Sequence, residues 1–507
     1  MHTWKQSRLC WNSPRVQSIV TGALVMIFLL LSGSQNASAL PAFARKYGLR
    51  CSACHETWPI LNNFGLKFRD NGYQLMNDRD APIWQNPSYW PVTMRITPIW
   101  HRVSGLSDID TYAGGKMTGT NNVEARITST GFDLSGLDFH TGGTLDKNIS
   151  FYLLPSSDPT ATFHFETVMV RFDNLFGSSW LNVKMGRFEL NNLLSEKRAV
   201  GLTGNGGIYT TYHFIPVGDG NIFGQMGDNQ FGMEYLGHSV DDRTRVSAAL
   251  LSSSDGNVNL ITGSNSYSGF FTFDQGIDAG KLGVDRIGGY AFVGDAATYY
   301  RTSAGVPIPG SGIGNKSFYR IGFIGQFYFG PHFDVNVVTQ HGEDNAWFGQ
   351  GYGNAILTNG NGVATATCSS PTAGCPLNNV PGTVLPVGAQ APTWNGLTVE
   401  ARYVYSPQLI FLFHYDGEWM SQQANGAGYT LTGPTGIVGA SPSNLGNINN
   451  YDWIARYNPF MSTRAGLALQ AEWDWFHQLG AGPASPVTGL GTNINSNELL
   501  LGLDFDF

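Results

Sequence analysis

The stretch Tyr319-Arg320-Ile321-Gly322-Phe323-Ile324-Gly325-Gln326-Phe327-Tyr328-Phe329, followed by Gly330-Pro331-His332 and Phe333-Asp334-Val335-Asn336-Val337, decides the fold. Before the turn, apolar side chains hold the odd positions, with Arg320, Gly322 and Gln326 between them. After it, Phe333, Val335 and Val337 alternate with Asp334 and Asn336. Successive side chains of a strand point to opposite faces, so this is a hairpin with one apolar and one polar face. The pattern recurs at Leu397–Tyr405, Leu409–Tyr415, Tyr451–Tyr457 and Ala465–Trp475. A soluble sandwich would bury the apolar face, whereas a membrane barrel turns it to lipid and the polar face to a wet lumen. Aromatic residues near strand ends, short turns alternating with long polar loops, and the alternating terminus Leu499–Phe507 favour the barrel.

Counted along the chain, the pattern predicts an all-β transmembrane barrel of about 16 antiparallel strands over residues 91–507, an even number as single-chain barrels of bacteria require. The first strand falls near 94–104 and the last near 498–507. The longest loops, 191–228, 342–394 and 420–448, fall at one end. The turns at Gly330, Ser406 and Asn458 fall at the other, with both termini. Alternation loses phase around Met185-Gly186-Arg187-Phe188, which predicts a bulge there. Glu400, Arg402, Asp416, Glu418, Asp452, Arg456, Glu472 and Asp474 take lumen positions, where they would hold a plug or keep a pore wet.

Composition agrees. Only 13% of residues are charged, against about 25% in an ordinary soluble domain, while 13% are aromatic and 64 are glycine. A net charge of −8 offers no basic surface, which excludes nucleic acid as a partner. The first 39 residues read as a cleaved export signal. Lys5, Arg8 and Arg15 precede an apolar run from Ile19 to Leu31, and Ala37-Ser38-Ala39 fits the cleavage site. That run is shorter than the roughly 20 residues of a membrane-spanning helix.

Between the export signal and the barrel lies Cys51-Ser52-Ala53-Cys54-His55, a single C-x-x-C-H motif. Its thiols suit covalent attachment of one haem c and its histidine suits axial ligation of the iron. A zinc or redox reading lacks a second cysteine pair nearby. Residues 40–90 are too short to build a full core alone, and a haem would supply apolar surface. Ile60, Phe64 and Phe68 form a helical stripe that Pro59 could open and Gly72 could end. Trp58, Leu61, Phe64 and Tyr73 are candidate packing partners, and Arg45, Lys46, Lys67 and Arg69 candidate partners of the propionates. Met76 is the first candidate for the sixth ligand and Met94 the next, with a later histidine or an open site as alternatives. Cys368 and Cys375, close together in a long exported loop, suit a disulfide. His213, Asp219, His341, Glu343 and Asp344 are loop candidates for contact with a metal substrate, although a solvated role fits each.

The run Phe43-Ala44-Arg45, Gly48, the C-x-x-C-H motif, Pro59, Leu61, Phe64-Gly65, Lys67-Phe68 and Gly72-Tyr73 resembles the fused monohaem cytochrome c–porin family, outer-membrane iron oxidases of iron-oxidising bacteria. Gly186-Arg187-Phe188-Glu189-Leu190 with Ser195-Glu196 is similar to the barrels of that family. The resemblance implies haem attachment at Cys51 and Cys54, with His55 as proximal ligand. It further implies one-electron oxidation of extracellular Fe(II) and delivery to a periplasmic electron carrier. The resulting expectation is an outer-membrane barrel with periplasmic termini and extracellular long loops, its lumen plugged by a small α-helical cytochrome c segment. A conduit for another donor or acceptor, or a porin whose haem segment is only a plug, remain alternatives.

Overall fold

The computed structural model describes residues 43, 46–49, 51–57, 60–75, 91–113, 116–121, 127–157, 162–194, 200–203, 210–214, 226–227, 229–252, 267–298, 314–345, 391–422, 430–433, 436–440, 447–461, 465–478 and 493–507. Helix α1 (Cys51–Cys54) leads into a short hairpin of β1 (His55–Thr57) and β2 (Ile60–Leu61), and then helix α2 (Asn63–Asp70). Next come β3 (Val92–Ala113), β4 (Lys116–Asn121), β5 (Ile127–Asp146), β6 (Ile149–Ser157), β7 (Phe163–Phe172) and β8 (Asn182–Phe188). After a helical turn α3 (Thr210–His213) follow β9 (Gln230–His238), β10 (Thr244–Ser252), β11 (Tyr267–Asp278), β12 (Val284–Thr298), β13 (Gly314–Tyr328) and β14 (Phe333–Asp344). The chain continues with β15 (Thr393–Ser406), β16 (Leu409–Gln422), a loop hairpin β17 (Thr430–Gly433) and β18 (Gly436–Ala440), β19 (Ile448–Met461), β20 (Gly466–Gln478) and β21 (Asn493–Asp506).

Among the described residues, β3, β5–β16 and β19–β21 form a closed antiparallel barrel of sixteen strands, each paired with its sequence neighbour. β4 extends the hairpin that β3 begins. The ring closes where β21 pairs with β3, Leu501 opposite Trp100, and Phe507 N and O exchange hydrogen bonds with Met94. Closure satisfies every strand edge, which lipid demands because it offers backbone groups no partner. The turns at Gly330 and Ser406 join β13 to β14 and β15 to β16 at one rim, where both ends of the wall also lie. The connections after β8, β14 and β16, the longest ones, leave from the other rim.

The two faces sort as their parity requires. On β13, Ile321 is 44% exposed and Phe323 40%, whereas Arg320, one position before Ile321, is fully buried. Outward rings stack in rows: Phe413, Trp453 and Trp473 on β16, β19 and β20, with centroids 5.3 and 4.6 Å apart, and Tyr415, Tyr451 and Trp475, 4.9 and 5.1 Å apart. Inward charges pair across neighbouring strands: Lys184 with Glu234 at 2.5 Å, Arg286 with Asp274 at 2.6 Å, Arg320 with Asp344 at 2.7 Å. Asp504 takes Arg95 at 2.9 Å and Arg456 at 2.8 Å across the closing seam. Apolar outside and charged inside is the arrangement of a membrane-spanning barrel, the reverse of a soluble core.

Three expectations need correction. Pairing through Gly186 is continuous on both sides, so no bulge lies there; Gly186 instead takes φ +126°. The register slips at prolines: between Thr97 and Pro98, between Leu154 and Pro155, and around Pro459 between Tyr457 and Phe460. Proline has no N–H to give the ladder, so the pairing steps past it. Asn458 is consequently not a turn but a bulge within β19, its N–H donating to Gln408 O at 2.7 Å. His341, Glu343 and Asp344 likewise belong to β14 rather than to a loop.

Candidate functional site

The polar lumen is interrupted by apolar side chains at inward positions. Leu251, Phe270, Phe292, Phe318, Ile324 and Val338 cluster with Phe188, Leu190 and Tyr212. Ile410, Leu412 and Ile454 cluster with Val200 and with Ile60 of β2. A wet pore has no use for such surface. It is covered here by two parts of the same chain, the N-terminal segment and the connection after β8.

The N-terminal segment is tied down at the end of α2. Arg171 of β7 donates from Nη1 to Arg69 O at 2.8 Å and from Nη2 to Asp70 O. These carbonyls lie in the last turn, where a helix runs out of donors of its own (Arg69 O also accepts from Gly72 N at 3.1 Å), and a cation suits the negative end of the helix dipole. Arg245 of β10 meets the Asp70 carboxylate at 3.2 Å, and Asn174 donates to Asn71 Oδ1 at 3.3 Å. Burial alone would raise the Asp70 carboxyl, but Arg69 and Arg245, with Arg171 behind them, outweigh it and hold the group well below the usual carboxylate range. Gly72, at φ +73°, stops the helix, and a Cβ there would strike the Asp173 carboxylate.

The C-x-x-C-H turn is keyed to α2 by one residue. Asn62 caps the helix, its Oδ1 accepting from Gly65 N at 2.9 Å. Its Nδ2 donates to Ala53 O at 3.2 Å and its backbone N–H to Cys54 O at 2.9 Å. A Cβ on Gly65 would collide with Cys54 O, so the helix approaches the turn only because residue 65 is glycine. The helix thus begins at Asn63 rather than at Pro59, because Ile60 and Leu61 pair as β2 against β1. Phe68 of the expected stripe is buried; Phe64 is exposed.

Cys54 and His55 are both buried and face a cavity of about 510 Å³ between the segment and the wall. Phe43, Leu61, Phe68 and Tyr73 line it from the segment, and His140 and Tyr152 from the wall. Aromatic rings bridge the two. Phe43 packs on Phe68 and Tyr73 at 5.3 and 5.2 Å, and Tyr73 stacks on Tyr152 at 5.9 Å. Cys54 is a free thiol whose pKa burial pushes up to about 11. A protonated thiol of this kind is a poor thiolate nucleophile, which weighs against a redox C-x-x-C.

These residues fit a haem: a cavity of mixed lining, with Phe43, Leu61, Phe68 and Leu154 for the ring and Arg69 and Arg95 for its acidic edge, and a free thiol and a histidine from the motif. Lys46 donates to Thr144 Oγ1 at 3.3 Å, beside the same wall. Met94 does not fit, since it shares the outward parity of β3, opposite in sense to Thr93, Arg95 and Thr97. The side chain of Cys51, together with Met76, Cys368, Cys375, Arg45, Trp58 and Asp219, lies outside the described residues.

The connection after β8, expected as an outer loop, turns inward over its described parts and reaches the opposite wall. Leu202 N and Thr203 N each donate to Glu472 at 2.8 Å, Thr203 Oγ1 donates to Glu498 at 2.7 Å, and Gln470 Nε2 donates to Val200 O at 2.8 Å. On α3, Thr211 O accepts from Gln340 at 2.7 Å. Beside this contact, Glu400, His414, Asp452, Asp474 and Glu498 stand directly opposite one another across β15, β16, β19, β20 and β21. Among the described residues no three His, Cys, Asp or Glu side chains converge to hold a metal ion.

No protein-family model and no curated relative matches this sequence. Solved structures show a distant similarity over most of the chain. The outer membrane channel DcaP of Acinetobacter baumannii has TM-score 0.45 and 11% identity, over 82% of this chain and 97% of that one. OmpT of Vibrio cholerae has TM-score 0.41 and 9% identity, over 83% and 99%. An anion-selective porin from Comamonas acidovorans has TM-score 0.40 and 10% identity, over 82% and 100%.

Proposed function

We propose that this chain is an outer-membrane electron-transfer protein of the fused monohaem cytochrome c–porin type, taking single electrons from extracellular Fe(II) and delivering them to a periplasmic carrier. The observation that carries this reading is the C-x-x-C-H turn, with Cys54 and His55 buried against a cavity inside a closed membrane barrel. Cys51 and Cys54 would hold one haem c covalently, and His55 would bind its iron. When bound, that group supplies reversible one-electron chemistry, which the polypeptide's own side chains lack.

The chain's residues do the rest. Asn62 and Gly65 fix the motif against α2, and Arg171 and Arg245 fix α2 against the wall. The barrel carries the assembly through a layer that small charged donors do not cross. The short-turn rim, with both barrel termini, faces the periplasm, and the long connections face outward. The inward carboxylate row on β15–β21 attracts cations rather than anions. Among the described residues these oxygens form no chelating cluster, which suits outer-sphere transfer from hydrated Fe(II). No acid–base pair is required.

A porin plugged by its N-terminal segment is the second reading, favoured by the dry contact of Ile60 with Ile410, Leu412 and Ile454. Mass spectrometry of the exported chain and stopped-flow mixing with Fe(II) test the first. A mass increment of one haem and reduction of its spectrum by Fe(II) are expected. A haem that Fe(II) leaves oxidised would turn the reading to another donor, and a chain without haem would leave only the plugged porin.

A further inference from the structure

We propose that His140, on the barrel wall, is the second axial ligand of the haem iron. This deepens the function proposed above and rests on it. The redox centre would then be shared, with one ligand from the N-terminal segment and one from the barrel, and would be complete only when the segment is seated.

Three observations meet at His140. It lines the same cavity as Cys54 and His55. It takes the inward parity of β5, with Asp138, Gly142 and Thr144, so its ring is presented to the lumen. Its Nε2 is buried and makes no hydrogen bond, whereas its Nδ1 lies 2.6 Å from Tyr152 Oη. A buried polar nitrogen without a partner is unfavourable unless something else meets it. A histidine that binds a metal through one nitrogen usually has the other anchored by a hydrogen bond, which fixes ring and tautomer. In the ligating form Nδ1–H donates to the Tyr152 oxygen, and a shift of the ring about that anchor opens Nε2, which is closed off in this conformation, to the cavity.

The neighbours of His140 hold it at the segment rather than elsewhere in the lumen. Tyr152 stacks on Tyr73, which follows the stop of α2 in a left-handed conformation at φ +60°. A non-glycine residue rarely takes that conformation, and here it coincides with the ring contact to the wall. Gly142, two residues beyond His140, leaves room for Tyr152 and Phe43, since a Cβ there would lie 2.8 Å from one and 3.4 Å from the other. Two other side chains line the cavity. Met169 packs into the apolar cluster around Phe188, and His164 is exposed, without the burial and anchoring hydrogen bond that hold the His140 ring.

The test uses the full-length haem protein in detergent, read by electron paramagnetic resonance and near-infrared magnetic circular dichroism. The wild type is expected to be low-spin with a bis-histidine signature and no methionine-sulfur charge-transfer band. His140→Ala should lose the low-spin signal, and added imidazole should restore it. His140→Met, which fills the same space, should acquire the sulfur band and a higher reduction potential. Heat-modified gel mobility identifies variants whose barrel has not formed, and the wild-type spectrum decides the point if they fail. A methionine signature or a five-coordinate iron in the wild type would overturn this ligand while leaving the proposed function intact. So would an unchanged spectrum in His140→Ala. A chain that carries no haem would overturn both together.

Discussion

Replacing Arg171 by methionine should release the N-terminal segment from the lumen. The substitution keeps most of the side-chain volume and removes the guanidinium. Asp70 O then loses its donor, Arg69 O keeps only Gly72 N at 3.1 Å, and Asp173, 2.5 Å from Arg171 Nε, loses its cation. Ser150 still donates to Asp173 at 2.7 Å, so that carboxylate is not abandoned completely. Breaking a buried charged contact by removing one partner costs about 3–5 kcal/mol. At 1.36 kcal/mol per decade this shifts the equilibrium between seated and unseated segment by roughly 10²- to 10⁴-fold. The assay is amide hydrogen exchange of Asn63–Asp70 in the detergent-solubilised protein, with wall strands such as β13 as internal reference. Loss of protection in α2 with the wall unchanged is the expected result. Protection of α2 within tenfold of the wild type, in a barrel shown to be folded, would refute the claim that Arg171 holds the segment.

Acid should loosen the same latch. Because Asp70 is held below the usual carboxylate range when seated, its contribution is complete above about pH 4 and fades as pH falls below that value. Asp70→Asn should therefore show weaker α2 protection than the wild type at neutral pH, the gap closing in strong acid; a gap that widens on acidification would contradict the sign. Asp504→Ala removes the carboxylate shared by Arg95 and Arg456 at the closing seam. It should lower barrel stability by about 3–5 kcal/mol, read as a drop in thermal midpoint in detergent, and an unchanged midpoint would show that the seam does not depend on it. Ile321→Arg puts a charge on the outward face and should cost about 2–4 kcal/mol near the bilayer midplane. Normal assembly into lipid vesicles would show that this face does not meet lipid.

The wall was readable because lipid imposes strict parity. Arg320 beside Ile321 and Phe323, or Asp334 and Asn336 between Phe333, Val335 and Val337, leave one register that hides charge and exposes apolar side chains. Each of the sixteen strands has a counterpart in the alternation, with differences confined to the ends. The bulges were less legible: Pro98 lies inside the expected strand near 94–104 and Asn458-Pro459 reads as a turn, and alternation gives no sign that the ladder steps past a proline. The filling of the lumen was not legible from motifs, though a signal existed. In Leu409-Ile410-Phe411-Leu412-Phe413 both parities are apolar, as they are at Leu250-Leu251 and Phe270-Phe271. A strand facing lipid on one side and water on the other has no reason for that, whereas one facing lipid and a packed plug does. A later histidine was an open alternative for the sixth ligand, but His140, the one proposed above, did not stand out among them. A single histidine in a strand carries no spacing signal, and only Tyr152, brought beside it on β6, shows that one nitrogen is anchored while the other is left free.

The most direct test of the whole account uses proteoliposomes with an electron-accepting cytochrome enclosed and Fe(II) added outside. Reduction of the enclosed acceptor is expected with the intact protein, without ion leak through the membrane, and its loss is expected in Cys51→Ala/Cys54→Ala. Ion conduction by the intact protein with no reduction of the enclosed acceptor would contradict the account and leave a channel in its place.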